Sequence, residues 1–152
     1  MGVRSRGRKA LLQARYATAV NNESISVNLE DIRLLLADPD LGLGVPMDPE
    51  DWTWISDLAR AVHYNKQEID EKIEDALKNW TLDRLSLVTR LILEQAIGEM
   101  YFSDPPTPPP VVIDESINLA KIFDADETAG FVNGVLDAVV KTGDPGVSSK
   151  GK

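Results

Sequence analysis

Apolar residues recur along this chain mainly at helical spacing. The stretch DETAGFVNGVLDAVVK, residues 126–141, begins polar and then gathers its apolar side chains on one side of a helix. The apolar positions are Phe131, Val132, Val135, Leu136, Val139 and Val140. No segment sustains the alternation of apolar and polar residues that is typical of a strand, so the pattern predicts helices only.

Four shorter amphipathic helices are predicted in the first half of the chain. Residues 8–20 carry Leu12, Tyr16 and Val20 at four-residue steps, and this helix should end near Asn21. Asn28 is expected to cap a second helix, and Pro49, after Asp48, to open a third. Asn65 is expected to start a fourth. The inward-facing sets of the last three helices are Leu29, Ile32, Leu35 and Leu36; Trp52, Ile55, Leu58, Ala59 and Val62; Ile69, Ile73, Ala76, Leu77 and Trp80.

The segment around residues 84–102 is apolar on nearly every side, which is typical of a helix surrounded by others. DPPTPPP follows it and predicts an extended link. A further helix then places Ile113, Ile117 and Ala120 on one face. These patterns predict an all-α bundle of about seven helices with the 84–102 helix at its centre.

Two glycines and an amide interrupt the last helix. Gly130 and Gly134 are four residues apart and share a face, where another helix is expected to approach closely. Asn133 is expected to hydrogen-bond a neighbouring backbone. Asn133 and Gly134 are therefore predicted to have structural roles.

Charge is distributed unevenly along the 152 residues. The first 22 residues contain five basic and no acidic residues, whereas the rest contain 11 basic and 25 acidic residues. Any affinity for nucleic acid should therefore be concentrated at the basic end, although the charge taken alone favours a simply solvated tail. No apolar run approaches the roughly 20 residues of a membrane span.

Candidate chemistry is sparse. The chain has no Cys and one His, His63, without an acidic neighbour at metal-ligand spacing. Glu68, Asp70, Glu71 and Glu74 are expected to be solvated. No motif brings together a nucleophile, a base and an oxyanion site, so neither an enzyme, a metal nor a cofactor is predicted.

Three segments resemble the NusB family, whose members are bacterial transcription antitermination factors for ribosomal-RNA synthesis. They are RSRGRKALLQARYA, WTLDRLSLVTRLILEQAIGEM and VVIDESINLAKIFDADETAGFVNGVLDAVVK. The resemblance implies a cytoplasmic protein of two small helical sub-bundles around the central helix. It implies one domain over residues 1–145, with an arginine-rich segment at 1–9, and a disordered tail at 146–152. A homodimer is also compatible with this sequence.

The resemblance implies binding to single-stranded boxA-type RNA together with the ribosomal protein NusE, in contact with the transcription elongation complex. The RNA-binding positions carried over are Arg4, Arg6, Arg8, Lys9, Gln13, Glu127, Thr128 and Phe131. The positions carried over for the protein partner are Tyr16, Asp83, Arg84 and Thr89.

Three residues depart from the family pattern. Gly130 replaces a frequent basic residue, Thr89 replaces an acid and Glu94 replaces an arginine, and the last two changes are interpreted as compensatory. Phe131 fits either a core position or a platform on which a base stacks. Two alternatives to the main hypothesis stay open: a helical protein-binding scaffold that has lost RNA binding, and a free-standing regulatory domain of an RNA-modifying enzyme.

Overall fold

The computed structural model describes residues 2–38, 40, 47–78 and 81–142. Over these residues the chain forms seven α-helices and no strand. The helices are α1 Val3–Asn21, α2 Ile25–Ala37, α3 Pro49–Tyr64, α4 Lys66–Ala76, α5 Leu87–Ile97, α6 Pro109–Phe123 and α7 Asp126–Thr142. The all-α prediction and the helix count are therefore confirmed. Trp80 and the expected tail at 146–152 lie outside the described residues.

The chain divides into two compact units, Met1–Ala59 and Arg60–Lys152. The first unit contains α1, α2 and the beginning of α3, and α1 packs against α2. The second unit contains α4 to α7, and α5 contacts α4, α6 and α7. None of the helices in the described part is both long and apolar enough to cross a membrane.

The connection from α1 to α2 corrects one predicted helix start. Asn22, with φ of 64°, ends α1 in the left-handed region, close to the predicted end. Ser24 caps α2 instead of Asn28, and its side-chain oxygen accepts a hydrogen bond from the Val27 backbone N–H. Asn28 is buried inside the helix and donates to the Thr18 hydroxyl at 2.8 Å. Its amide therefore joins α1 to α2, whereas a cap would have served one helix alone.

The apolar face predicted for α2 is only partly correct. Leu29 is buried, but Leu35, which was expected inside, is 44% exposed, and Leu34 is 60% exposed. A short helix with leucines on several sides does not reveal from spacing alone which of them faces the protein.

The predicted central helix is confirmed as the buried centre of the second unit. Every residue from 91 to 100 is buried. The α-helix begins at Leu87, where the Ser86 hydroxyl accepts from the Thr89 N–H, and it continues as a π-helical turn over Gly98–Phe102. A Cβ atom on Gly98 would lie 2.5 Å from Cγ2 of Val62. The close approach that requires a glycine is therefore at Gly98.

The proline-rich segment is extended only in its first part. Pro109 and Pro110 form the first turn of α6. Proline is tolerated there because the first backbone N–H groups of a helix have no partner within the helix. The prediction that all five prolines lie in the link is therefore wrong for these two.

Candidate functional site

The basic N-terminal segment forms the first turns of α1. This helix has no acidic residue in its first turn and no side-chain cap at Gly2. Arg4 and Gln13 are exposed, Arg6 and Lys9 are half-buried, and Arg8 is only 6% exposed. The five positions predicted in α1 for RNA therefore do not form a uniformly solvated stripe.

Trp54 on α3 contacts two of these arginines. The guanidinium carbon of Arg4 lies 4.2 Å from the centroid of the Trp54 ring, and that of Arg8 lies 5.3 Å from it. Both distances fall within the range of a cation–π interaction. Sequence reasoning placed no function on Trp54, and the inward-facing set predicted for this helix does not include it.

The beginning of α7 lines a cleft of about 350 Å³ in the second unit. The cleft is lined by Arg84, Leu85, Ser86, Thr89, Asp124, Glu127, Thr128 and Phe131. Three of the predicted RNA-binding positions, Glu127, Thr128 and Phe131, therefore meet two of the predicted partner positions, Arg84 and Thr89. Phe131 is half-buried, so it is neither a fully buried core residue nor fully solvated.

Hydrogen bonds tie two walls of the cleft together. The Ser86 and Thr89 hydroxyl oxygens are 2.9 Å apart, and the Thr89 hydroxyl donates a long hydrogen bond of 3.5 Å to the Asp124 carboxylate. Thr89 itself is buried. Neither Ser86 nor Asp124 was predicted as a site residue, because they are separated by 38 positions and no sequence motif joins them.

The two remaining partner positions are both exposed. Tyr16, in the first unit, is 45% exposed on α1. Asp83, in the second unit, lies in the 3-10 turn Leu82–Arg84 and accepts a 2.6 Å hydrogen bond from the Thr81 hydroxyl. Both side chains are available to a protein partner within their own units.

The predicted roles of the two glycines and the amide in α7 are corrected. A Cβ atom on Gly130 or on Gly134 would meet nothing within 4 Å, so no helix approaches there among the described residues. Asn133 is exposed and makes no hydrogen bond through its side chain in the described part of the chain. All three positions belong to the solvent face of α7, which the spacing argument mistook for a packing face.

Glu94, one of the departures from the family pattern, belongs to a charged cluster that joins α4 to α5. Its carboxylate accepts from Lys66 at 3.1 Å and from Arg90 at 3.2 Å. The Asp70 carboxylate accepts from the same two cations, at 2.9 and 3.4 Å. Glu94 is thus neutralised within this cluster, while Thr89 is bonded to Ser86 and Asp124. The two residues thus have separate partners, and their interpretation as a compensating pair stays a prediction.

Asp70 is also not the solvated residue that was expected. Burial, reinforced by the neighbouring Glu94, raises the pKa of Asp70 from 3.8 to about 6. Its Oδ1 atom is buried and has no hydrogen-bond partner among the described residues. No group of three or more His, Asp or Glu side chains in the described part has the arrangement of a metal site.

The described helices, the basic turns of α1 and the polar cleft at α7 define an all-α protein whose candidate sites are surfaces for binding. The NusB family model matches residues 5–141. The chain therefore belongs to the NusB family.

Relatives and solved structures of similar fold agree with this assignment. The chain is 32% identical over 122 residues to the transcription antitermination protein NusB of Macrococcus caseolyticus, covering 80% of this chain and 85% of that protein. It is 30% identical to the Clostridium botulinum NusB, covering 90% and 99% of the two chains. The T. maritima NusB structure matches with a TM-score of 0.78, 31% identity and 93% coverage of each chain. A chain in a structure of NusB and NusE with double-stranded RNA matches with a TM-score of 0.79, 22% identity and coverage of 93% and 98%.

Proposed function

We propose that this protein binds single-stranded boxA-type RNA together with the ribosomal protein NusE, and that it acts on the transcription elongation complex as a cytoplasmic antitermination factor for ribosomal RNA. The proposal assigns it no catalytic activity. The observation that carries it is the cleft at the start of α7, where Phe131, Thr128 and Glu127 meet Arg84 and Thr89. Membership of the NusB family supports the same conclusion.

The chemistry of the cleft suits a nucleobase better than a phosphate. Asp124 and Glu127 place carboxylates at its edge, and these oppose a phosphate but accept hydrogen bonds from the amino group of a base. The half-buried ring of Phe131 offers a face on which an unpaired base stacks. Arg84 and the Thr128 hydroxyl supply donors. We therefore assign base recognition to this cleft.

The phosphates of the RNA are assigned to α1. Its first turns carry Arg4, Arg6, Arg8 and Lys9 with no acidic residue among them. Cationic side chains bind single-stranded nucleic acid by displacing counterions, so this contribution depends on salt. The two kinds of contact are thus distinguishable by their response to ionic strength.

The protein partner is assigned to Tyr16 in the first unit and to Asp83, Arg84 and Thr89 in the second. Beyond residue 22 the chain has an excess of 14 acidic residues. An acidic body favours encounter with a basic ribosomal protein and sets its orientation. The related NusB chain solved with NusE and double-stranded RNA supports a partner of this kind.

A protein-binding scaffold without RNA affinity is the second candidate function. Arg8 is 6% exposed beside Trp54, so at least one cation of the basic segment is engaged within the protein. Gly130 also supplies no charge beside Phe131. These observations favour a weaker RNA surface than the arginine-rich sequence suggests.

Titration of labelled single-stranded boxA-type RNA, with and without NusE, tests the proposal. A scrambled RNA of equal length and composition is the control. We expect the boxA-type RNA to bind more tightly than the scrambled RNA, and NusE to strengthen that preference. NusE binding without any preference between the two RNAs would identify the protein as a scaffold. Binding of neither NusE nor RNA would overturn the proposal.

A further inference from the structure

We infer that Trp54 is a positioning residue for RNA binding, which holds the Arg4 guanidinium ready for a phosphate through stacking on its indole ring. This inference rests on the proposed function, since it concerns how the basic segment of α1 meets RNA. All the residues concerned belong to the first unit.

The spacing of Arg4 and Arg8 along α1 explains why both guanidinium groups contact the same Trp54 ring. Arg4 and Arg8 are four residues apart on α1 and therefore lie on the same helix face, one turn apart. Their guanidinium carbons lie 4.2 and 5.3 Å from the centroid of the Trp54 ring. A planar guanidinium stacks well on an aromatic face, which a lysine ammonium does not reproduce.

Gly7 makes this close contact between α1 and α3 sterically possible. A Cβ atom at position 7 would lie 3.1 Å from Cδ1 of Ile55 and 3.4 Å from Cζ3 of Trp54. These distances leave little room for any side chain larger than hydrogen. The sequence R-x-x-G-R over residues 4–8 thus places a residue without a side chain beside both arginines, where α1 meets Trp54.

The two arginines differ in what they offer a ligand. Arg8 is 6% exposed and anchors the stack inside the protein. Arg4 is exposed and makes no ion pair with a carboxylate among the described residues. A guanidinium that stacks through its face keeps the N–H groups at its edge available to an anion. Arg4 is therefore the member of the pair that presents its charge outward.

The position of Arg4 in the helix also favours an anionic ligand. Arg4 lies in the first turn of α1, where the helix dipole places partial positive charge, and no acidic side chain is present in that turn. A cation at this end is unfavourable by itself and is relieved when a phosphate binds. The stacking on Trp54 holds the arginine in place despite this repulsion.

Holding Arg4 before binding reduces the entropy lost when the RNA arrives. Immobilising one long side chain at an interface weakens affinity by roughly two- to tenfold. Loss of the aromatic face should therefore weaken RNA binding by about that factor while leaving the charge of Arg4 in place. The number of phosphates contacted, and hence the salt slope, should change little.

A double-mutant cycle in the full-length protein tests the inference, with the boxA-type RNA and NusE as ligands. Trp54→Leu and Arg4→Ala are measured singly and together, and Trp54→Tyr is the conservative control. We expect roughly two- to tenfold weaker RNA binding for Trp54→Leu, near wild-type binding for Trp54→Tyr, and no further loss when Trp54→Leu is added to Arg4→Ala. A purely structural tryptophan would give additive losses or none, and either result would overturn the inference.

Arg4→Lys provides a second test in case Trp54→Leu does not fold. Because Arg4 is exposed, we expect this variant to fold. Lysine keeps the charge but not the planar stack, so we expect weaker RNA binding at an unchanged salt slope. Wild-type affinity for Arg4→Lys would refute the positioning role and leave the proposed function intact. Absence of RNA binding by the wild-type protein would refute both.

Discussion

The Thr89 hydroxyl donates a 3.5 Å hydrogen bond to the carboxylate of Asp124, a residue 35 positions further along the chain. Thr89 lies in the first turn of α5, and Asp124 follows the end of α6. Both residues line the cleft at the start of α7. This contact therefore joins the central helix to the corner from which α7 begins.

Removing this hydroxyl should weaken the contact between two walls of the cleft without leaving a cavity in the core. Thr89→Val keeps the shape of the side chain but loses the hydrogen bonds to Ser86 and Asp124. We expect a loss of about 1 kcal/mol in the free energy of unfolding and weaker binding of NusE. Thr53→Val is the matched control, since the exposed Thr53 hydroxyl only donates to the carbonyl of Pro49. Equal effects of the two substitutions in urea denaturation would contradict the role given to Thr89.

Two helical glycines should respond in opposite directions to the same substitution. Gly98→Ala places a Cβ atom 2.5 Å from Cγ2 of Val62, so we expect a destabilisation of about 1–3 kcal/mol. Gly134→Ala meets nothing within 4 Å and should stabilise α7 by roughly 0.5–1 kcal/mol through helix propensity. Chemical denaturation of both variants checks this. If Gly134→Ala proved less stable than wild type, this would support the prediction from the sequence that another helix packs closely against Gly134.

The Asp70 carboxyl should make folding stability depend on pH. Because the pKa of Asp70 rises from 3.8 to about 6 on folding, the folded state favours the protonated form. The stabilisation from this group is therefore complete below pH 3.8 and is lost as pH rises through about 6. Asp70→Asn imitates the neutral form and should remove this loss, so its stability relative to wild type should rise from pH 4 to pH 7 by up to roughly 3 kcal/mol.

Asp75→Asn, on the same helix, is the control for the pH experiment, since Asp75 is exposed and makes no ion pair among the described residues. Thermal or urea unfolding at several pH values provides the measurement. Parallel curves for wild type and Asp70→Asn across this range would show that the cluster with Lys66, Arg90 and Glu94 does not shift the titration of Asp70.

Alanine substitutions at the neighbouring residues Arg8 and Lys9 should affect different properties. We expect the first to lower folding stability and the second to weaken RNA binding. Arg8 is 6% exposed beside Trp54, so Arg8→Ala should destabilise the protein through lost packing as well as lost charge. Lys9 is half-buried, and Lys9→Ala should chiefly flatten the slope of log K against log salt by about 0.7, the value for one phosphate contact on single-stranded RNA. Calorimetry and RNA titration over a salt series test the pair. An unchanged slope for Lys9→Ala would remove Lys9 from the RNA surface.

The helices were predictable because their apolar spacing is a local property of the sequence. The segment from Leu91 to Met100 is apolar on most sides and is buried throughout, as the pattern indicated. Pro49 and Asn65 also mark helix starts correctly. Cap residues were harder to choose, since Ser24 and Asn28 are both good caps and only the packing of α1 against α2 decides between them.

The candidate sites could be predicted only in part, because their contacts join distant residues. The pairing of Arg4 with Trp54, and of Thr89 with Asp124, depends on how helices pack rather than on any spacing along the chain. At Gly134 the sequence predicted a helix contact that the structure does not have. The position of a glycine in a helix does not reveal whether its face is packed or solvated. The acidic partner of a cation also could not be identified from the sequence, because Lys66 and Glu94 are 28 positions apart.

The cleft at the start of α7 is the centre of the proposed function, and Phe131→Ala tests it most directly. The measurement pairs the melting curve of this variant with its affinity for boxA-type RNA in the presence of NusE. Because Phe131 is half-buried and lines the cleft, we predict that RNA binding weakens by about 1–3 kcal/mol, the value for one stacked base. The salt slope should stay unchanged and the fold intact. A loss of about 3–5 kcal/mol in folding stability, as for a core phenylalanine, with wild-type RNA affinity under conditions where the variant is folded, would contradict the account.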